Sequence, residues 1–293
     1  MIRLIVNADD FGLTPGVNRS VAELRHCGAL SSATLMATGA FFEDAVALAQ
    51  ATPQLEVGCH ILLVDGTPVL PPSEIRSLVT ADRQFRPALS GFVSDLYRRR
   101  IREAEIEAEA TVQIRRLQVA GLRVSHVDTH KHTHLFPPVL RAVLRAAKSC
   151  GVTAIRNPFE PQWALRATAG SSRLRRIAVL ALGSQRRAFH RLVAASGLAT
   201  TGGTIGVLAT GTRDVPGTLR ALLEAIRQSA QNGAPEQVWE LVCHPGYVDE
   251  HLDAVRTRLR ASRAREHEAL LELIPRSGIA LGSWRELPRA LSR

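Results

Sequence analysis

The chain has 293 residues, 45% of them apolar and 22% charged, which excludes wholesale disorder and suits one large α/β barrel or two small domains. Its 37 Lys and Arg outweigh 27 Asp and Glu for a formal charge of +10, and no apolar run approaches the roughly 20 residues of a membrane span. The opening reaches Asp9 and Asp10 too early for a signal peptide, and the expectation is a soluble cytoplasmic enzyme.

Residues 3–8 form a short apolar run ending in acids and read as a first strand, followed by a helix over 17–27 that Gly28 stops. A second strand is predicted over 32–38, a helix over 43–51 and a third strand over 56–61. Residues 62–90, rich in Pro, Gly, Ser and Asp, read as a long loop. The stretch 101–120, dense in Glu, Ala and Arg and closed by Gly121, reads as the best helix in the chain. A strand over 123–128, a helix over 139–149 and a strand over 153–156 follow. Beyond them come a helix over 218–231, a strand over 238–243, a long charged helix over 253–273 and a short strand over 279–281. Gly202 to Gly206 reads as a flexible loop.

Strands alternating with helices argue for parallel βαβ units. Seven strands suit an imperfect (β/α) barrel better than an open sheet, and no G-x-G-x-x-G follows the first strand to mark a dinucleotide fold. The expected architecture is an α/β, distorted TIM-like barrel forming a single domain over residues 1–293.

The charge is unevenly placed. Between Glu160 and Asp214 there is no acidic residue, yet eight arginines fall there, alternating with apolar side chains. This stretch, 161–213, reads as a basic amphipathic helical insertion, either solvated or lying on an anionic membrane surface. Nucleic acid is not expected as a partner, since no recognisable module accompanies the charge.

Polar residues collect at predicted strand ends: Asp9 and Asp10 after the first, His60 after the third, Asp128 to His134 after the next, and His244 after the strand over 238–243. In a parallel barrel these ends share one face, where such enzymes keep their active sites. His130, His132 and His134 would point the same way if extended. Histidines with a carboxylate are a standard ligand set for a divalent metal. Two adjacent aspartates facing one site without a cation would leave one protonated through repulsion, whereas a divalent metal on one lets the other stay ionised as a base. Cys59 and Cys243 each precede a key histidine, so alternation puts both thiols in the apolar layer behind the site. No CxxC pair suggests a disulfide or zinc-ribbon role for any of the four cysteines.

Asn-Ala-Asp-Asp-Phe-Gly at 7–12, Gly-Cys-His at 58–60 with Gly66 and Pro68 beyond, Asp-Thr-His-Lys-His-Thr-His at 128–134 and Cys-His-Pro-Gly-Tyr at 243–247 together resemble the YdjC-like carbohydrate deacetylases. The resemblance runs in order from residue 2 to about 285. It implies a distorted (β/α) barrel that hydrolyses N-acetyl groups of amino sugars with one divalent metal, Zn²⁺ or Mg²⁺. Carried over motif by motif, Asp10, His60 and His130 resemble the metal ligands, Asp9 the catalytic base, and His244 the acid that protonates the leaving amine. His132 and His134 match the remaining positions of their motif and are pocket candidates, as is Arg156. The long basic stretch, with Arg-Asn-Pro-Phe-Glu-Pro at 156–161 and Gly-Thr-Ile-Gly-Val at 203–207, resembles the subgroup associated with hopanoid biosynthesis. That likeness implies an N-acetylglucosaminyl hopanoid as substrate, met at the inner membrane surface by a peripheral enzyme. The alternatives are a deacetylase of soluble chito-oligosaccharides, a metal-dependent phosphoesterase, and a non-catalytic membrane-surface binder.

Overall fold

The strands of the fold are β1 (Arg3–Phe11), β2 (Ser32–Leu35), β3 (Glu56–Ile61), β4 (Val124–Thr129), β5 (Thr204–Ile205), β6 (Val238–Cys243) and β7 (Ala280–Leu281). They come from a computed structural model that describes residues 3–168, 183–231, 237–255 and 257–288. All pairings are parallel, in the order β4-β3-β2-β1-β6-β5, and β7 pairs with the opening of β1 ahead of β2.

The sheet is buried on both faces, which explains why β1 and β6 read as nearly continuous apolar runs. Alternation still sorts them. Leu4, Val6 and Ala8 join the large core under the helices, whereas Ile5 packs with Ala154, Ala199, Trp284 and Leu287 in a small inner cluster. Asn7 and Asp9 share the inner face with Ile5. The sheet therefore curls around a mostly polar interior, with Trp284 near its base stacked on His126 at 3.9 Å between ring centroids.

Helices flank the strands: α1 (Pro15–His26), α2 (Phe42–Ala51), α3 (Leu89–Tyr97), α4 (Glu103–Val119), α5 (Pro137–Ser149), α6 (Gln162–Ala167), α7 (Arg186–Ser196), α8 (Val215–Gln231), α9 (Glu250–Ala254) and α10 (Arg260–Leu273). The Thr14 hydroxyl caps α1 by accepting from Val17 N at 3.2 Å, and Pro15 opens it with a preset φ.

Several expectations need correction. Residues 153–156 form isolated bridges, Val127 with Ile155 and Ala154 with Ala199, instead of a regular strand. Backbone bonds still run on both sides, from Val127 N to the Ala154 carbonyl, Arg156 N to that of Val127, Ile155 N to that of Ala199 and Ala199 N to that of Thr153, and Thr200 Oγ1 adds a bond to the Ile155 carbonyl. The curl is thus joined by bridges across this gap and is not a regular closed barrel. Residues 204–205, expected to be loop, form β5 beside β6. The helix expected over 253–273 is two helices, α9 and α10, and α3 lies where no helix was expected. Within the basic stretch 161–213, α6 and α7 are helical and the end joins the sheet as β5. The expected amphipathic run through 169–182, with Arg173, Arg175 and Arg176, lies outside the described residues.

Inside the curl, Gly58 is required by its neighbour. A Cβ there would lie 2.4 Å from His126 Cε1. Gly58→Ala should destabilise the protein by about 1–3 kcal/mol through overpacking, read from denaturant unfolding, and His126→Ala in the same chain should recover part of that loss.

Candidate active site

Parallel strands deliver their C-terminal ends to one face, and the polar residues there come from β1, β3, β4 and the turns that follow β4 and β6. The first device is local. In a regular strand Asp9 and Asp10 would face opposite ways. The β1–β2 register shifts between Ala8 and Phe11, and Asp10 takes a left-handed φ of 65°. That turn brings both carboxylates to the site, at a strain cost of about 1–3 kcal/mol.

The second device follows β4. His130–Leu135 is a tight turn in which Lys131 and His132 have φ of 54° and 52°, so the condition of an extended histidine motif is not met. The turn still directs His130 toward His60 and Asp10. Asp10 Oδ1, His60 Nε2 and His130 Nδ1 form a triangle with sides of 3.5, 3.2 and 3.6 Å. Ligands about 2.1 Å from a divalent cation stand about 3.0–3.4 Å apart, so the triangle is of the right size to hold one. Asp10 Oδ1 is buried with no hydrogen-bond partner, as expected of an atom reserved for a cation.

The other atoms of these residues are held. His60 Nδ1 lies 2.8 Å from Asp128 Oδ1, a carboxylate–histidine contact that fixes the ring with Nε2 facing the triangle. Burial alone would lower the His60 pKa, but Asp128, then Asp9 and Asp10, hold it up at about 9. Arg263 Nη2 donates to Asp10 Oδ2 at 2.5 Å. Burial opposes ionisation of Asp10, yet Arg263 and then His130 keep its pKa well below the usual carboxylate range.

Arg156, expected to line the pocket, lies beneath it instead. Its guanidinium is fully buried and holds Asp9 bidentately at 2.6 and 2.8 Å, Glu240 at 2.7 Å, and Asp128 in a close ion pair. Those contacts occupy it, so it serves the carboxylates and leaves no free face for a substrate. Burial would raise the Asp9 pKa, but Arg156 holds it well below the usual range. For Glu240 burial prevails over Arg156, and its pKa is pushed up to about 7.

His244 Nε2 stands 3.9 Å from Asp9 Oδ2, and its side chain is 14% exposed, so it borders solvent while Asp9 is covered. His132 is half-buried, with Nδ1 unpartnered; burial, then the charge of Arg156, lower its pKa to about 3, leaving it neutral. His134 is fully buried, its Nδ1 2.7 Å from Thr129 Oγ1, and belongs to the framework of the turn. Cys59 and Cys243 are buried in the core layer behind the histidines. Asp128, Glu240, Arg263 and Glu266 were not singled out as site residues from the sequence. Asp128 stood within the histidine motif and Glu240 was a lone charge inside an apolar strand, whereas Arg263 and Glu266 carried no local signal separating them from solvated charges.

The family model for YdjC-like proteins matches residues 3–276. The chain belongs to that family. Within the family's reach, a protein named carbohydrate deacetylase from Brevibacillus brevis is 39% identical over 158 residues, 54% of this chain and 60% of that protein. A protein of the same name from Oceanobacillus iheyensis is 33% identical over 153 residues, 50% of this chain and 61% of that one. The matched stretches thus span about three-fifths of these relatives' length. A crystal structure from Enterococcus faecalis V583, described as a putative cellobiose-phosphate cleavage protein, superposes with a TM-score of 0.69 at 25% identity, covering 97% of each chain.

Three outcomes follow for this YdjC-like site. A cation binding through His60 Nε2 must displace a proton held with a pKa of about 9. Affinity should therefore rise about tenfold per pH unit up to about 9 and then level, with about one proton released per cation in calorimetry at pH 7–8. The same raised pKa stabilises the cation-free fold below the unfolded value of 6.5, an effect lost as pH climbs through about 9. Separately, Arg156→Met should cost about 3–5 kcal/mol in denaturant unfolding, because it strands buried carboxylates without their counter-charge.

Proposed function

We propose that this YdjC-like chain is a metal-dependent carbohydrate N-deacetylase. The observation that carries the reading is the triangle of Asp10 Oδ1, His60 Nε2 and His130 Nδ1, flanked by an ionised Asp9 and a solvent-bordering His244. The names of the Brevibacillus and Oceanobacillus relatives support the same chemistry.

Asp10, His60 and His130 would hold the cation, which when bound polarises the acetamide carbonyl and acidifies a nearby water. Asp9 stays ionised because Arg156 stabilises its charge, and it accepts the proton of the attacking water. Arg156 also makes Asp9 a weak base, so that transfer requires a water more acidic than bulk. His244, bordering solvent beside Asp9, gives a proton to the departing amine, without which an amine is a poor leaving group. Base and acid together produce a bell-shaped pH–rate profile.

For the substrate we infer an N-acetylglucosaminyl hopanoid, taken up by a single-domain cytoplasmic enzyme at the inner membrane surface. The support is the sequence resemblance of 156–161 and 203–207, and the arginine-rich, acid-free stretch 161–213 suited to anionic lipid. Within it, Arg187 and Arg191 of α7 are exposed. Among the described residues no helix is long and apolar enough to cross a membrane, so contact with lipid would be peripheral.

The test is acetate release from a synthetic N-acetylglucosaminyl hopanoid and from chitobiose, with metal-replete protein. The lipid-linked sugar should be turned over and chitobiose poorly. Asp9→Asn and His244→Ala should lower kcat by about 10²–10⁴ with the cation retained, and His60→Ala should lose the cation. Turnover of chitobiose alone would refute the lipid substrate, and acetate from neither would refute deacetylation of these sugars.

A further inference from the structure

Arg263 is a fully buried arginine on the first turn of α10, and nothing in the reaction scheme above uses it. Its guanidinium spans two parts of the site. Nη2 donates to Asp10 Oδ2 at 2.5 Å, and Nη1 reaches the His244 carbonyl at 3.5 Å. The main chain adds a further tie, since the Arg263 carbonyl accepts from Gly246 N at 3.3 Å. One turn further along α10, Glu266 Oε2 accepts from His244 N at 2.6 Å. The His244–Gly246 turn is thus fastened to α10 at both its amide and its carbonyl groups. The fit is close: a Cβ at Gly246 would lie 3.4 Å from Arg263 Cδ and 2.9 Å from Val17 Cγ2.

The consequence for Asp10 is specific. With Oδ2 occupied by Arg263, the carboxylate has a single free oxygen, the unpartnered Oδ1 that completes the triangle with His60 and His130. We infer that Arg263 is a positioning residue that restricts Asp10 to one-oxygen ligation of a divalent cation and ties that ligand to the turn carrying His244. The inference rests on the cation site of the proposed function. It also opposes simple charge arithmetic. A positive group against a ligand carboxylate should repel a cation, so its removal should tighten binding if charge alone mattered. Positioning predicts the reverse sign, because a freed Asp10 carboxylate loses the orientation that aims Oδ1 at the site.

Lysine is the informative replacement, since it keeps the charge but lacks the planar fork needed to hold Asp10 Oδ2 and the His244 carbonyl together. Chelator-treated wild type, Arg263→Lys, Arg263→Met and Glu266→Gln would be titrated with Zn²⁺ and with Mn²⁺ by calorimetry, and their cation-free melting temperatures recorded. Both Arg263 variants should bind about 10–100-fold more weakly than wild type. Glu266→Gln, which alters the bond to His244 N and leaves the Arg263–Asp10 contact in place, should keep wild-type cation affinity while kcat falls. If Arg263→Met does not fold, Arg263→Lys carries the comparison. Unchanged or tighter binding in a folded Arg263 variant, including a lower melting temperature with unaltered Kd, overturns the inference and assigns Arg263 to stability alone. Absence of cation binding by wild type itself would instead overturn the metal site on which the inference stands.

Discussion

The buried guanidinium of Arg156 is the interaction on which the remainder of the site depends. Asp9, Asp128 and Glu240 all point into the curl of the sheet, and each would be costly to ionise there alone. Arg156 compensates them together, with His60 adding charge against Asp128. It keeps Asp9 ionised beside the triangle, while Asp128 is left able to orient His60. Below it the polar contacts continue: Asn7 donates to Asp9, Ser32 to Asn7, and Trp284 Nε1 to Ser32. The inner space of this fold is therefore a hydrogen-bonded column from base to rim, and the apolar cluster within it is confined to a few side chains around Trp284. Such a network specifies one arrangement because each member is satisfied by the next.

Two supports converge on the rim from different directions. From below, Arg156 and Asp128 determine where Asp9 and His60 sit; from the side, α10 presents Arg263 to Asp10 and Glu266 to the amide of His244. Farther along α10, His267 joins Ser20 of α1 and Tyr247 through its ring nitrogens, which fastens the helix against the first βα unit. The strand ends supply the groups to which the proposed reaction is assigned, and a helix late in the chain holds them in register with one another.

The residues at the strand ends were legible in the sequence because parallel strands leave few places for their C-terminal polar groups to go. Asp9, Asp10, His60, His130 and His244 meet for that reason, although 235 positions separate the first from the last. What stayed hidden was set by contacts distant in sequence. Glu240 sits inside an apolar strand, and Arg263 and Glu266 lie on a helix rich in charge, read only as a long charged helix. Their burial depends on what packs against them. The joining segment differs in extent: residues 153–156 have strand composition and are bonded through their backbone on both sides, but only Ala154 and Ile155 form bridges, one to each neighbour. Residues 204–205 are too short to stand out beside their glycines. The histidine motif was recognised, yet its left-handed residues, Lys131 and His132, carry no glycine to announce the turn.

The left-handed residue at the end of β1 has a further consequence. Because it lets neighbours in sequence face one pocket, the acid assigned to proton transfer and the acid assigned to cation binding are joined by a single peptide bond. Their α-carbons are about 3.8 Å apart by covalent geometry, whatever the surrounding sheet does. Breathing of the strands, which can widen the gap from Asp9 to His244 or His60, leaves that spacing untouched. The chain thus carries a built-in ruler at the point where two functions must keep the closest distance, and it leaves to packing only the separations that substrates need to open.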